Sequence, residues 1–202
     1  KMELRTDIFS GFEILLASKS PRRRQLLEMA EIPFRIIDLI SVDETFPNNI
    51  SASEVPMFLS QKKANAYSDI LRQNQIIIAA DTVVIIDNQI LGKPQNAEEA
   101  IEMLTRLSGR SHVVVTGVTI MSLKKQVSFS VTTTVEFSQL KESAILYYVN
   151  TYKPFDKAGA YGIQEWIGAV GIKGISGSYY NVVGMPIHRL YDELHRFIAD
   201  NY

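Results

Sequence analysis

The apolar positions near the start of the chain predict a strand that turns directly into a helix. Residues 14–17 form a continuous apolar run, which is typical of a short buried strand. Pro21 suits the first turn of a helix, and Ser20 before it is a favoured N-cap residue. Leu26 and Leu27 then supply an apolar helix face. The pattern therefore predicts a strand, a tight loop and a helix.

The middle of the chain alternates between strand-like and helix-like periods. Residues 34–40 predict a second strand, and Ser51 with Glu54 forms a capping-box pattern that opens a helix reaching Ile70. Further on, the pattern predicts a strand over residues 75–80 that residues 82–86 either continue or pair with, a hairpin completed by residues 89–91, and a helix capped by Asn96 and Glu99 that runs to Leu107.

The second half of the chain contains longer strands. Residues 112–123 and 126–137 predict a long antiparallel hairpin whose second arm alternates apolar residues with Ser and Thr. The elements predicted after it are a helix over residues 142–152, a Gly-rich loop over 153–164, Gly-punctuated strands as far as Val183 and a last helix from Met185. The predicted fold class is α/β, or α+β, with a mixed rather than a purely parallel sheet.

Composition limits the classes of function. With 202 residues, 46% hydrophobic and 21% charged, the chain is typical of a soluble globular protein of one domain or two small lobes. The net charge of -1 gives no global field to attract nucleic acid, so we expect no nucleic-acid partner. The absence of cysteine excludes disulfides and thiolate chemistry. No apolar run approaches the ~20 residues that span a bilayer, so we expect no membrane partner and a cytoplasmic location.

A cluster of cations occupies the start of the first predicted helix. Lys19, Arg22, Arg23 and Arg24 lie where positive charge opposes the helix dipole, so stability alone does not favour them. A bound anion would resolve the conflict, because the N–H groups at a helix start and guanidinium groups both suit phosphate oxygens. A solvated basic helix end is the alternative. The position directly after a buried strand favours the phosphate interpretation.

Acidic residues form a second candidate centre. Asp81 interrupts an apolar run over residues 76–86, where a carboxylate is costly unless it is paired, hydrogen-bonded or bound to a metal. A structural aspartate at a strand bend is the alternative. Asp43 and Glu44 alone would be ordinary loop carboxylates. Brought near Asp81, they would form an oxygen-ligand site for Mg²⁺ or Mn²⁺ that substrate phosphates complete.

Other single residues are ambiguous on their own. Lys93 lies in a Gly-Lys-Pro turn and Lys157 follows Asp156, so an exposed turn charge and a local ion pair are their ordinary interpretations. Gln164 follows a Gly-rich approach and could read a base edge, although most loop glutamines do not. The chain lacks a G-x-x-x-x-G-K-[ST] loop and an H-E-x-x-H motif, which argues against a P-loop NTPase and a zinc hydrolase.

Eight motifs in order give the chain a family resemblance over nearly its whole length. They are Leu-Ala-Ser-Lys-Ser-Pro-Arg-Arg at 16–23, Val-Asp-Glu at 42–44, Lys-Lys-Ala at 62–64, Ala-Asp-Thr-Val-Val at 80–84, Gly-Lys-Pro at 92–94, Ser-Gly-Arg-Ser-His-Val-Val-Val-Thr-Gly-Val at 108–118, Asp-Lys-Ala-Gly-Ala-Tyr-Gly-Ile-Gln at 156–164 and Gly-Ser-Tyr-Tyr-Asn-Val-Val-Gly-Met-Pro at 177–186. Each motif is weak alone, but in this order they resemble the Maf family of nucleoside triphosphate pyrophosphatases.

The resemblance implies a fold, a reaction and a cofactor. The implied fold is a single domain over residues 1–202 with an elongated mixed β-sheet, flanking helices and two lobes around a central cleft, similar to the inosine triphosphate pyrophosphatases (Maf/Ham1-like). The implied reaction converts a nucleoside triphosphate and water to the monophosphate and pyrophosphate with a divalent cation, Mg²⁺ or Mn²⁺. The Ala-Tyr-Gly-Ile-Gln form resembles the branch that acts on dTTP and UTP.

The resemblance also implies roles for individual residues. Asp81 matches the catalytic acid–base position, and its role as base or as metal ligand stays open. The other matched positions are Arg22, Thr82 and Gln164 for substrate specificity, Ser18, Arg23, Lys63 and Lys93 for phosphate and substrate contact, and Glu44, which with Asp81 would hold the metal.

Two other functions stay open at this point. One is a house-cleaning pyrophosphatase for other or modified nucleotides, which a substrate panel would reveal. The other is a non-catalytic nucleotide-binding regulator of cell division, which would lack turnover. The resemblance further implies a homodimer.

Overall fold

The computed structural model describes residues 6–200, which form one mixed β-sheet with flanking helices. Within that range the strands are β1 (Glu13–Leu16), β2 (Arg35–Ile36), β3 (Gln75–Ile86), β4 (Gln89–Leu91), β5 (Ser111–Met121), β6 (Gln126–Phe137) and β7 (Ile172–Ser176). The helices are α1 (Pro21–Met29), α2 (Val55–Asn65), α3 (Ala97–Leu107), α4 (Glu142–Tyr152), α5 (Trp166–Gly171), α6 (Tyr179–Val183) and α7 (Ile187–Ala199).

The sheet order is β2-β1-β3-β5-β6-β7, with β4 added to one end of β3. β1 is parallel to both of its neighbours, and the other pairs are antiparallel. This confirms the predicted mixed α/β sheet. The long hairpin is also confirmed, since β5 and β6 pair along their full length, and residues 82–86 continue β3 rather than pairing with it.

Three predicted elements were wrong in type or extent. The strand over residues 34–40 is only β2, because the four-residue β1 offers pairing partners to Arg35 and Ile36 alone. Helix α2 ends at Asn65 and not at Ile70, and it begins at Val55 after a turn in which Ser51 binds the Glu54 carboxylate.

The third correction concerns the Gly-punctuated strands predicted up to Val183. Only β7 is a strand there, and helices α5 and α6 lie on either side of it. A Cβ on Gly168 would lie less than 3.0 Å from the carbonyl of Ile163, so this glycine serves close packing of a helix. Ser178 accepts a hydrogen bond from the Asn181 N–H at 3.2 Å and caps α6.

β3 organises the core because alternate residues face opposite sides of the sheet. On one face Ile76, Ile78 and Ala80 belong to an apolar cluster with α1 and α7, whereas Val84 and Ile86 belong to a second cluster with α3 and α4. The other face carries two smaller clusters that pack against α2 and its surroundings. Between these clusters, Asp81 and Thr82 interrupt the apolar pattern on the two faces of the same strand.

Gly117 lets α2 approach the sheet beside Asp81. It is the β5 partner of Asp81 in the antiparallel register, so both residues face α2. A Cβ on Gly117 would lie less than 3.0 Å from backbone atoms of Pro56 and Met57. The missing side chain therefore fixes how closely the helix that carries Lys63 crosses the strand that carries Asp81.

Candidate active site

A cleft of about 760 Å³ opens where the apolar clusters of β3 are interrupted. A cavity of this size falls in the range of small-molecule sites. It is lined by the β1–α1 loop, residues 39–46, α2, the middle of β3, Gly92 and Lys93, and the segments 156–164 and 182–184. The structure brings to this cleft every site residue that the resemblance implies, namely Ser18, Arg22, Arg23, Glu44, Lys63, Asp81, Thr82, Lys93 and Gln164. Asp43, the other candidate carboxylate, does not line the cleft and instead contacts Thr45 and Lys62.

Asp81 is held by a lysine rather than left uncompensated. The Lys63 ammonium donates to Asp81 Oδ1 at 2.6 Å and forms an ion pair with Glu44 Oε1 at 2.8 Å. The hydrogen bond from Lys63 lowers the pKa of Glu44 below its ordinary value, although burial opposes this. Glu44, Lys63 and Asp81 are therefore a charged triad that keeps two carboxylates close together in the cleft.

The two carboxylates suit a hard divalent cation. Mg²⁺ in proteins is commonly held by one or two carboxylates while substrate phosphates and water complete its shell. Among residues 6–200, no group of three or more His, Asp or Glu side chains is arranged to hold a metal by itself. Glu44 and Asp81 could ligate such a cation only together with ligands from outside the chain, and the ammonium of Lys63 between them marks a place where positive charge is stabilised.

Arg23 ties three elements together beneath the cleft. Its guanidinium donates to the carbonyls of Gly184 at 2.8 Å and Ala80 at 2.7 Å, and to Thr82 Oγ1 at 3.0 Å. Burial lowers the pKa of Arg23, and the Asp81 charge opposes this. Because most of its donors are used by the protein, direct phosphate contact by Arg23 stays a prediction.

Thr82 is similarly engaged. Its hydroxyl lies 2.9 Å from that of Thr116 on β5, and Thr116 donates to the backbone carbonyl of Asn181 at 3.1 Å. These contacts, together with the one from Arg23, hold Thr82 from below. Its predicted role in specificity would therefore act from a side chain that is already fixed.

The start of α1 is open toward the cleft. Ser20 makes no side-chain capping bond, and Ser18 Oγ instead accepts the Ser20 N–H at 3.2 Å. The N–H groups of the first turn are thus left without a side-chain acceptor, as an anion site requires.

Arg22 reaches from α1 across to the segment after α4. It donates to Asp156 Oδ2 at 2.9 Å, and the Lys157 ammonium contacts Asp156 at 2.7 Å and Glu165 at 3.0 Å. Burial opposes ionisation of Asp156, but the bonds from Lys157 and Arg22 outweigh it and hold its pKa below the ordinary value. The expected Asp156–Lys157 pair therefore exists, and its extension to Arg22 and Glu165 was not predicted.

Gln164 and Lys93 keep their polar ends available. Both residues are exposed at the cleft, and neither side chain has a hydrogen-bond partner among residues 6–200. The amide of Gln164 can both donate and accept, and Lys93 offers a point charge.

Three contributors to the site lie within the eight motifs but received no role from the sequence. Gly117 is one glycine in a strand, Asp156 reads as the neighbour of Lys157, and Tyr161 reads as a core aromatic. Tyr161 lines the cleft and also contacts His112 with its hydroxyl, at 2.7 Å from Nε2. Only the three-dimensional pairing of distant segments reveals these roles.

Over the part of the chain that the structure describes, none of the helices has the length and apolar character needed to cross a membrane.

The fold is a mixed α/β sheet with flanking helices, and its cleft brings basic and acidic side chains together. The solved Ham1 protein of Staphylococcus aureus matches this fold with a TM-score of 0.52 at 17% identity, covering 94% of this chain and all of that one. The family model for Maf-like proteins matches residues 13–197. The chain therefore belongs to the Maf-like family, which confirms the resemblance seen in the eight motifs.

Two relatives are similar to this chain along nearly their whole length. A protein from Bacteroides thetaiotaomicron is 48% identical over 183 residues, which cover 91% of this chain and 95% of that protein. A protein from Porphyromonas gingivalis strain W83 is 45% identical over 197 residues, covering 96% of this chain and 99% of that one. Both relatives are named dTTP/UTP pyrophosphatase.

Proposed function

We propose that this protein is a nucleoside triphosphate pyrophosphatase that hydrolyses dTTP and UTP to the monophosphate and pyrophosphate. The names of its relatives support the reaction class and the pyrimidine substrates. The observation that carries the proposal is the placement of Asp81, which is joined to Lys63 and Glu44 in the same cleft as the open, basic start of α1.

The cationic side of the cleft binds the phosphates. A triphosphate carries about four negative charges, and catalysis of its cleavage depends on positioning and on neutralising those charges. The first N–H groups of α1, together with Arg22 and Lys93, supply donors of this kind. Arg22 exchanges Asp156 for a phosphate oxygen when substrate enters, because both acceptors suit its guanidinium.

Asp81 acts on the water that is consumed. The oxygen of one water forms the new bond to phosphorus, the anhydride bond between the α and β phosphates breaks, and pyrophosphate leaves. Asp81 accepts the water proton, or it holds a cation together with Glu44. A divalent cation held there would neutralise phosphate charge and acidify a bound water. The hydrogen bond from Lys63 orients the Asp81 carboxylate for either role.

Gln164, which lines the cleft, selects the base. Thymine and uracil present an oxygen at C4 and an N–H at N3, and the Gln164 amide can donate to the first and accept from the second. Cytosine presents the reverse pattern. Discrimination therefore requires that the amide of Gln164 be held in one orientation.

Pyrophosphate release across a panel of nucleoside triphosphates, with and without Mg²⁺ or Mn²⁺, tests the proposal. We expect cation-dependent release that is fastest with dTTP and UTP, and one monophosphate for each pyrophosphate. Preference for a purine or modified nucleotide would replace the pyrimidine assignment, and nucleotide binding without turnover would identify a non-catalytic regulator. The homodimer, the cytoplasmic location and the absence of a nucleic-acid partner stay predictions.

A further inference from the structure

A buried ring cluster lies directly beneath the segment that carries Gln164. His112, at the start of β5, stacks on Phe137 with ring centroids 5.6 Å apart, and Tyr161 meets both rings edge-on. All three residues are buried, and His112 is only 3% exposed. Tyr161 also lines the cleft, so the cluster connects the core to the candidate site.

The polar contact inside this cluster is costly and is not explained by stability. His112 Nε2 lies 2.7 Å from the Tyr161 hydroxyl, whereas His112 Nδ1 is buried and has no hydrogen-bond partner among the described residues. Whichever tautomer is present, one buried polar group is left unsatisfied, which costs free energy. Apolar residues of the same size would avoid that cost.

The contact fixes one end of a short turn, which we call the Gln164 turn (residues 161–165). The turn is closed by the Glu165 N–H, which donates to the carbonyl of Gly162 at 3.0 Å. Its other support is Tyr148 on α4, which accepts the Gly162 N–H at 3.1 Å and donates to the Glu165 carboxylate. Two buried phenols therefore hold the turn, and only the Tyr161 phenol has its ring in the cleft wall.

We propose that His112 is a positioning residue for base selection: by its hydrogen bond to Tyr161 it sets the Gln164 turn so that Gln164 favours thymine and uracil over cytosine. His112 itself touches no substrate. The inference rests on the proposed function for the identity of the substrate, and it adds a residue that acts through Tyr161.

The physical argument is one of orientation. Among the described residues nothing bonds to the Gln164 amide, so the turn that carries it sets how it meets a base. An amide presented in both orientations would read cytosine as readily as thymine, because its donor and acceptor exchange places. Hydrogen-bonding sites discriminate strongly only when their polar groups are fixed. Loosening Tyr161 would let the Gln164 turn shift, so discrimination should fall while phosphate binding persists.

Binding of non-hydrolysable α,β-methylene analogues of dTTP and dCTP provides the test, alongside kcat and KM with the natural nucleotides. We expect Tyr161→Phe and His112→Leu to lower the dTTP-over-dCTP preference about tenfold or more. KM for dTTP should rise while its kcat changes little, and circular dichroism should show that Tyr161→Phe stays folded. His112→Gln, whose amide can reach the place of Nε2, should restore the preference.

Tyr191→Phe, in the other apolar cluster, is the matched control and should keep the wild-type ratio. Wild-type selectivity in Tyr161→Phe would overturn the inference even if His112→Leu fails to fold. Failure of the proposed function is distinguishable: a wild type that binds the analogues selectively but hydrolyses nothing would refute the reaction, and the binding ratios would still decide the role of His112. A wild type with no dTTP preference overturns the inference as well.

Discussion

Gly117→Ala tests how closely α2 must approach the sheet for the site to form. The added Cβ would lie less than 3.0 Å from backbone atoms of Pro56 and Met57, which cannot rotate away. Ordinary carbon contacts need about 3.5 Å, so α2 must move by about 1 Å. Overpacking of this kind lowers the free energy of unfolding by about 1–3 kcal/mol. We expect about 3 kcal/mol here because the backbone partner is rigid.

For a chain of this length, that loss corresponds to a melting temperature lower by about 6–12 °C. The shift also carries Lys63 away from Asp81, and a misplacement of about 1 Å can lower kcat/KM by about a hundredfold. Differential scanning calorimetry and pyrophosphate release measure the two effects. Gly174→Ala in β7 is the matched control, because its Cβ would meet only Glu136 at 3.8 Å. A Gly117→Ala protein with wild-type melting and turnover would refute the reasoning.

Three further changes test other parts of the structure. Lysine lacks the planar fork with which Arg23 donates to the carbonyls of Ala80 and Gly184. Arg23→Lys should therefore lower the free energy of unfolding, measured by urea denaturation, by about 1–3 kcal/mol. Asn96→Ala removes the N-cap of α3, whose side chain accepts the Glu99 N–H at 2.9 Å. Calorimetry should show a free energy of unfolding lower by about 1 kcal/mol. Burial lowers the pKa of His112 to about 4. The unfolded state, with an ordinary histidine pKa near about 6.5, therefore binds the proton more readily than the folded state. The contribution of His112 to the free energy of unfolding is full above about pH 6.5 and is lost as the pH falls toward about 4. Urea titrations should show a loss of about 2 kcal/mol between pH 7.5 and pH 5. His112→Gln should lose less over that pH range, and an equal loss would contradict this assignment.

Local patterns were enough to predict elements whose partners are close in sequence. The β5–β6 hairpin and α4 were predicted within two residues at each end, because alternation and helical period are complete within each segment. The error over residues 34–40 has a non-local cause, since the length of β2 is set by its partner β1. Helix α5 was missed because its glycines serve close packing: Gly168 lies against the backbone of Ile163, and Gly171 lies against the distant side chains of Leu140 and Phe137.

The candidate site shows the same division. Motif resemblance was enough to predict which residues line the cleft, and every one of them does. It did not predict how they are bound to one another, because those bonds join segments far apart in the chain. Three hydrogen bonds of this kind exist only in the folded chain: those of Arg23 with Gly184, of Arg22 with Asp156 and of Tyr161 with His112.

The central claim is that Asp81 carries the chemistry in the cleft, and turnover of Asp81→Asn tests it most directly. The substitution keeps the shape and removes the charge, so the protein should stay folded while pyrophosphate release from dTTP falls by about two orders of magnitude or more. Asp87→Asn is the matched control, because Asp87 lies at the exposed turn after β3, outside the cleft, and pairs with Arg110. Its turnover should match the wild type. A folded Asp81→Asn protein that hydrolyses dTTP at the wild-type rate would contradict the account.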